Sequence, residues 1–282
     1  MAITNFIPEV WSAQLLSSLK KSLVYAGPSV VNRDYEGEIR DSGDTVRITS
    51  ISRPTIGTYA KNSTTITPEN LTDAQRSLLI DQAKYFAFEV DDIDMRQARD
   101  GGRLMAEAAQ EAAYGLADVA DQYVASLYTG VDAGNALGTV SVTTADIAVT
   151  QLVALKVKLD NASVPQAGRF VVVPPWYHGL LLRDDRFVRV DASGTSEALR
   201  NGQVGRAFGF DVLLSNNAPN VTGDDWLVLA GYPGAISFAE QIVKTEAYRP
   251  ENAFSDALKG LHVYGSKLVR PTGIATLVAS IT

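Results

Sequence analysis

The segment Asp91 to Thr129, DDIDMRQARDGGRLMAEAAQEAAYGLADVADQYVASLYT, constrains the fold more than any other part of the chain. Leu104, Ala108, Ala112, Leu116, Ala120, Tyr123 and Leu127 recur at the spacing of one helix face. Glu107, Glu111, Asp118, Asp121 and Gln122 fall between them and are expected on the solvated surface. Gly101 and Gly102 each disfavour helix by roughly 1 kcal/mol relative to Ala, so a bend or a separate short helix is predicted before them. From Gly101 to Thr129 a continuous helix would reach roughly 43 Å at about 1.5 Å per residue, well beyond the usual helix of about 11 to 12 residues. A rod of that length makes the rest of the chain pack as lobes along it. Asp91, Asp92 and Asp94 precede the rod, where negative charge favours a helix N-terminus.

Upstream, Pro8 to Tyr25 places Val10 or Trp11, Leu15, Leu19 and Leu23 on one stripe. Pro8 is tolerated in a first turn because its missing N–H would be unpaired there, and Gly27 and Pro28 end this N-terminal amphipathic helix. The texture then reverses. Val46 to Thr49 alternates, and Phe86, Phe88 and Val90 alternate with Tyr85, Ala87 and Glu89, so both flanks are predicted strands. Between them, ISRPTIGTYAKNSTTITPENLTDAQRS is rich in Ser and Thr and poor in large apolar residues. Such a stretch cannot bury a core of its own and is uncommon inside a compact domain. An arm reaching onto a neighbouring subunit accounts for it; a solvated surface loop is the alternative.

Downstream, GVDAGNALGTVSVTTAD reads as a Gly-rich connection. Thr144 and Asp146 cap a helix whose apolar face includes Val149, Leu152, Val153, Leu155 and Leu159. RFVVVPP is a buried strand stopped by two prolines, WYHGLLLRDD a short helix, and GFDVLLSN and DWLVLAG two further strands. This alternation, from Asp146 to about Arg249, predicts an α/β lobe with a central sheet. LHVYGSKLV and GIATLVASI, on either side of Arg270, Pro271 and Thr272, are predicted to form a hairpin returning to the rod.

The tools of an enzyme are missing from the sequence. There is no phosphate-binding or dinucleotide-binding glycine loop, no nucleophile elbow and no H-E-x-x-H. His178 and His262 each lack a second ligand at helical or hairpin spacing and are expected to be structural. Asp184 with Asp185, and Asp224 with Asp225, are expected in solvated turns. With no Cys there is neither a disulfide framework nor a thiolate site. No catalytic, cofactor or metal residue is predicted. The chain has 282 residues, 46% of them hydrophobic, and no apolar run of the 18 or so residues a membrane span needs. MAITNFIPEVW lacks the pattern of a secretory signal, so a cytoplasmic site of synthesis is expected. A net charge of -7 disfavours a general nucleic-acid binder, which needs clustered Lys and Arg. It is compatible with lying near DNA without gripping it. What remains is a structural protein whose work is assembly.

Two stretches carry a resemblance that makes this concrete: Phe6 to Ile48, FIPEVWSAQLLSSLKKSLVYAGPSVVNRDYEGEIRDSGDTVRI, and Leu199 to Pro219, LRNGQVGRAFGFDVLLSNNAP. In the second, Gly202, Gly205 and Gly209 would permit tight turns before a strand from Phe210 to Leu214. RFVVVPPWYHGLLLRDDRF adds to it. The order and spacing of these segments resemble the major capsid proteins of tailed bacteriophages, the Hong Kong 97-type fold. The resemblance implies an α+β subunit with an N-terminal arm at 1–35 and an extended β-hairpin loop at 36–84. It further implies a peripheral domain with a long spine helix at 85–145, an α/β axial domain at 146–250, and C-terminal strands at 251–282 that return to the peripheral domain. It implies pentamers and hexamers closing an icosahedral shell around double-stranded DNA, with no enzymatic activity and no cofactor. Trp11, Arg53, Tyr59, Lys61, Arg76, Arg183, Asp184 and Arg186 are the expected subunit-interface residues. The absence of an inserted domain or a fused helical extension implies a separate scaffolding protein, and a portal is the other expected partner. Lys61 and Asn62 near the loop tip invite comparison with relatives that crosslink Lys to Asn, although a polar tip is expected in any case. An encapsulin-like shell around a cargo enzyme is the alternative within the same fold, and a hydrolase using Asp184 and Asp185 the alternative from another class.

Overall fold

The Ala-rich segment is helical over the predicted extent. Helix α1 spans Gly101–Ser126, 26 residues or about 39 Å, and runs on as a 3₁₀ turn, Leu127–Gly130. The structure, a computed structural model, describes residues 24–34, 45–51, 55–61, 65, 73–92, 101–184 and 205–282. Most of the helix predicted from Pro8 lies outside them, and Val24 and Tyr25, at its predicted end, lie in turns. The buried face of α1 carries Ala109, Ala113, Leu116, Ala117, Ala120, Val124 and Ala125. The predicted stripe is therefore off by one residue in its first half, where Ala108 and Ala112 are only half-buried. Adjacent alanines offer no contrast of size or polarity, so periodicity cannot choose between the two registers.

Along the chain the strands are β1 (Thr45–Ile51), β2 (Asp73–Leu79) and β3 (Gln82–Asp91) before α1. After it come β4 (Ala136–Ser141), helix α2 (Ala145–Asn161), β5 (Arg169–Val173) and helix α3 (Pro175–Leu181). The strands described after it are β6 (Arg206–Ala207), β7 (Phe210–Leu214), β8 (Asn220–Thr222), β9 (Asp225–Gly231), β10 (Ile236–Tyr248), β11 (Ser255–Leu268) and β12 (Ile274–Ser280). α2 begins as predicted, with the Thr144 hydroxyl accepting from the Ile147 N–H, but Val153 faces outward. The turn between β6 and β7 uses Phe208 and Gly209, both at positive φ, the backbone a two-residue hairpin needs.

Among the described residues three sheets result. β1 and β2 form an antiparallel hairpin in register from Thr45↔Leu79 to Ile51↔Asp73. β10, β11 and β3 form an antiparallel three-stranded sheet. The third, of seven strands, runs β4-β12-β9-β5-β7-β6 with β8 on β9. Its β4–β12 and β5–β7 pairs are parallel, so it is mixed.

The pairing corrects four expectations. The polar arm is closed by β2, not by β3, because the chain leaves β2 through Ile80 and Asp81 before it pairs again. The Gly-rich connection after α1 contains strand β4. The last two strands do not form a hairpin: β11 belongs to the three-stranded sheet and β12 to the seven-stranded one. β11 pairs instead with β10, which takes Ile236–Tyr248 out of the predicted α/β lobe.

The seven-stranded sheet is covered on both sides, which is why β5 is buried at every position. Phe170, Val172, Leu227 and Leu229 join the core shared with α1 and the three-stranded sheet. Their neighbours Val171, Val173, Val228 and Ala230 pack with α2 and α3. Strand parity thus divides one sheet between two cores.

Candidate assembly surface

The hairpin is anchored at one end and open at the other. Leu78 and Ile80 are buried against Ala239 of β10 and Val263 of β11. The contact is so close that a Cβ on Gly265 of β11 would meet the Leu79 carbonyl oxygen at 2.4 Å and the Ile80 Cα at 2.9 Å. Only glycine admits the crossing chain there. In the connection between β1 and β2, residues 55–61 are all exposed. Ile56 is 85% exposed and Tyr59 67%, and burying either side chain fully would be worth about 1.5–3 kcal/mol. Lys61 is exposed beside them. Arg76 lies in β2 opposite Ile48, and Arg53 is outside the described residues.

The hairpin base covers only part of the outer face of the three-stranded sheet. On β3, Phe86, Phe88 and Val90 turn inward to the core of α1, which leaves Tyr85, Ala87 and Glu89 outward. Tyr85 is 79% exposed and pairs with Leu261, also exposed. Beside them a cavity of about 470 Å³ is lined by Tyr85, Phe86, Ala87, Glu246, Lys259, Gly260 and Leu261. Phe86 lies across Gly260, where a Cβ would be 2.3 Å from the ring. Lys259 closes one side, 3.0 Å from Glu246 and 4.9 Å above the Tyr248 ring. Both ends of that pair are well exposed, so it contributes little to stability. An open apolar sheet face with a charged rim suits an extended apolar chain.

A third element escapes sequence reasoning: a buried polar clasp around residues 24–34. Asp121 is 3% exposed, not on the solvated surface as its place in the predicted stripe requires. Its Oδ1 accepts from the backbone N–H groups of Val24 (2.9 Å), Tyr25 (2.6 Å) and Ala26 (3.2 Å), and its Oδ2 accepts from the Asn217 amide (3.1 Å). Arg33 donates through Nε and Nη2 to the Ala26 carbonyl, at 3.0 and 2.6 Å, and through Nη1 to Glu240 at 2.8 Å. The other Glu240 oxygen is 3.2 Å from His262 Nε2. Arg33 also lies 5.1 Å from the Phe238 ring centre, and Asn32 forms a parallel bridge to Ser237.

The two carboxyls are pushed in opposite directions. Burial raises Asp121 above its ordinary value, against the pull of the hydrogen bonds from Asn217 and from Ala26, Tyr25 and Val24. Burial also pushes Glu240 up, but the His262 hydrogen bond and the Arg33 charge outweigh it and leave Glu240 below the ordinary carboxylate range.

His262 is fully buried in the middle of β11, and Glu240 is the neighbour that helical or hairpin spacing did not reveal. His178 is half-buried in α3, and burial favours its neutral form. Asp184, expected in a solvated turn, is 7% exposed, its N–H bonded to the Leu181 carbonyl just after α3. Arg183 beside it is exposed. Trp11, Asp185 and Arg186 lie outside the described residues. Among the described residues no three His, Asp or Glu side chains converge to hold a metal.

The mixed helix-and-sheet fold is that of solved phage capsid subunits. The chain belongs to the phage capsid protein family, whose model matches residues 75–277. It is similar to the structure from Mycobacterium phage Che8, with 33% identity and a TM-score of 0.76 over 98% of both chains. The capsid structure of the cyanophage P-SCSP1u has 18% identity and a TM-score of 0.68, covering 86% of this chain and 85% of that one. The mature capsid of bacteriophage PhiM1 has 18% identity and a TM-score of 0.65, covering 88% and 87%. At that identity these two share the fold alone. No curated protein sequence matches. Family membership makes the chain a structural protein of the virion capsid rather than an enzyme, and it does not favour the encapsulin-like alternative.

Proposed function

We propose that the chain is a major capsid protein of the Hong Kong 97 type that self-assembles as pentamers and hexamers into an icosahedral shell enclosing double-stranded DNA. The single observation that carries this is that one subunit exposes both an apolar hairpin tip, Ile56 and Tyr59, and an open apolar sheet face around Tyr85 and Leu261. Each is a surface that a lone subunit leaves wet and that contact between copies covers. On this reading the peripheral domain is α1 with the three-stranded sheet, α1 is its spine, and the axial domain is the seven-stranded sheet with α2 and α3. That division keeps the arm at 1–35 and the loop at 36–84. It assigns β10 to the peripheral part, and β4 and β12 to the axial part.

The interface residues then fall in two groups. Trp11, Arg53, Tyr59, Lys61 and Arg76 serve contacts of the arm and loop, and Arg183, Asp184 and Arg186 serve the capsomer centre. A separate scaffolding protein and a portal are the partners, with assembly in the host cytoplasm. From Leu104 to Leu155 the chain has no Lys or Arg, which supports an inner wall that touches DNA weakly and without sequence preference.

Electron microscopy of the protein co-expressed with its scaffold tests the reading. Closed shells of pentamers and hexamers are expected from the wild type. Ile56→Asp with Tyr59→Asp should leave the unfolding free energy of the subunit nearly unchanged, within about 0.5 kcal/mol, and abolish shells. Small monodisperse particles from the wild type, or normal shells from the double variant, would defeat it.

A further inference from the structure

Residues 24–34 are held at two points by carboxylates from different elements. At one end, Asp121 of α1 gathers three consecutive backbone N–H groups on Oδ1 and the Asn217 amide on Oδ2. At the other, Arg33 joins the Ala26 carbonyl to Glu240 of β10, which meets His262 of β11. One polar chain therefore runs from the connection after β7 in the seven-stranded sheet, through α1 and this segment, to the three-stranded sheet. The two Asp121 oxygens have separate duties, one per attachment. A proton on Oδ2 turns an acceptor into a donor and opposes the Asn217 N–H in the orientation that this amide holds, while Oδ1 remains an acceptor for the backbone N–H groups.

We infer that Asp121 is a proton-operated joint: ionised, it ties the Asn217 connection to α1 and residues 24–26, and on taking up a proton it lets that connection go while Arg33 and Glu240 keep the segment on the three-stranded sheet. The direction of each shift agrees. Asp121, raised by burial, takes up its proton above the ordinary Asp value of about 3.9. Glu240 is shifted the other way, held below its ordinary value by His262 and Arg33.

Because the raised group binds its proton more tightly in the folded state, its titration does not itself unfold the protein as pH falls. The opening is local. Among the described residues few other groups compete. Tyr25 faces Asp121 and is buried and neutral, pushed well above its ordinary value by burial and by the Asp121 charge. Ser215 to Pro219 brings no charged side chain. Around Glu240 stand Arg33 and His262. Tyr264 lies beside His262, with Tyr123 and Asp81 beyond it. Lys84 is opposite His262 on β3 and is exposed.

Hydrogen exchange of the full chain, corrected for intrinsic rates and followed from about pH 7 down to about pH 4, tests the joint. In the wild type, amides of 215–218 should lose about tenfold in protection, with a midpoint above the ordinary Asp value, while those of 24–26 change less than about threefold. Asp121→Asn, which keeps Oδ1 as an acceptor and replaces Oδ2 by a donor, should show the low-pH pattern at every pH. Asn217→Ala should do the same for 215–218 without touching the carboxyl, and it carries the test if Asp121→Asn folds poorly. A wild-type step that is absent, that involves 24–26 equally, or that survives in Asn217→Ala would overturn the inference.

Discussion

At the scale of single residues, the strongest commitments are buried charges with named partners. Glu240 has the Arg33 guanidinium and the His262 ring as partners and almost no water. Glu240→Gln removes the carboxylate that faces the Arg33 guanidinium in a mostly buried site. We expect a loss of about 3 kcal/mol at neutral pH, in the range for breaking a buried pair from one side. The sign of the pH dependence follows from the lowered value. A carboxyl depressed in the folded state stabilises above its unfolded pKa, about 4.3 for Glu, and that contribution is lost as pH falls through the folded value. The wild-type and Glu240→Gln melting curves should therefore converge below about pH 4. A gap of constant size down to the lowest pH at which the protein folds would mean that Glu240 is not ionised in the native state.

Elements were legible in the sequence wherever periodicity and chemistry agreed, and illegible wherever pairing decided. The extent of α1, the Thr144 cap and the buried run Phe170–Val173 follow from pattern alone. The rotation of α1 did not, because Ala108 and Ala109 are equally apolar; it is the burial of Asp121, four residues after Ala117 and before Ala125, that marks the true face. β4 was missed because ALGTVS is short and half-exposed on both faces, with little period to read. The β11–β12 hairpin was wrongly expected because adjacency in sequence does not reveal that Pro271–Gly273 carries the chain from one sheet to another. The same gap hid the Glu240–His262 contact, which exists only once β10 and β11 are aligned. Two glycines separate propensity from packing in a way that can be measured. Gly115 lies within α1 with nothing within 4 Å of an added Cβ, so Gly115→Ala should stabilise by about 0.5–1 kcal/mol. Gly265→Ala drives a methyl into the chain leaving β2, and we expect a loss of about 1–3 kcal/mol. Denaturant midpoints of the two variants should move in opposite directions; a neutral Gly265→Ala would mean the hairpin base does not press on β11.

For the whole molecule, the governing quantity is charge summed over many copies. Each chain carries -7 from 32 acidic and 25 basic residues, and a closed shell brings these charges together at fixed spacing. Apolar contacts such as those available to Ile56, Tyr59 and Tyr85 are insensitive to moderate salt, whereas like-charge repulsion over distances beyond about 10 Å is screened at about 0.1 M ionic strength. If apolar burial drives shell closure and net charge opposes it, added salt removes only the opposing part. The critical concentration for assembly, followed by light scattering of the purified subunit, should therefore fall as sodium chloride rises from about 0.05 M to about 0.5 M. The opposite trend would assign the dominant attraction to ion pairs between subunits, and Lys61, Arg183 and Asp184 would then carry more of the interface than the apolar tip does.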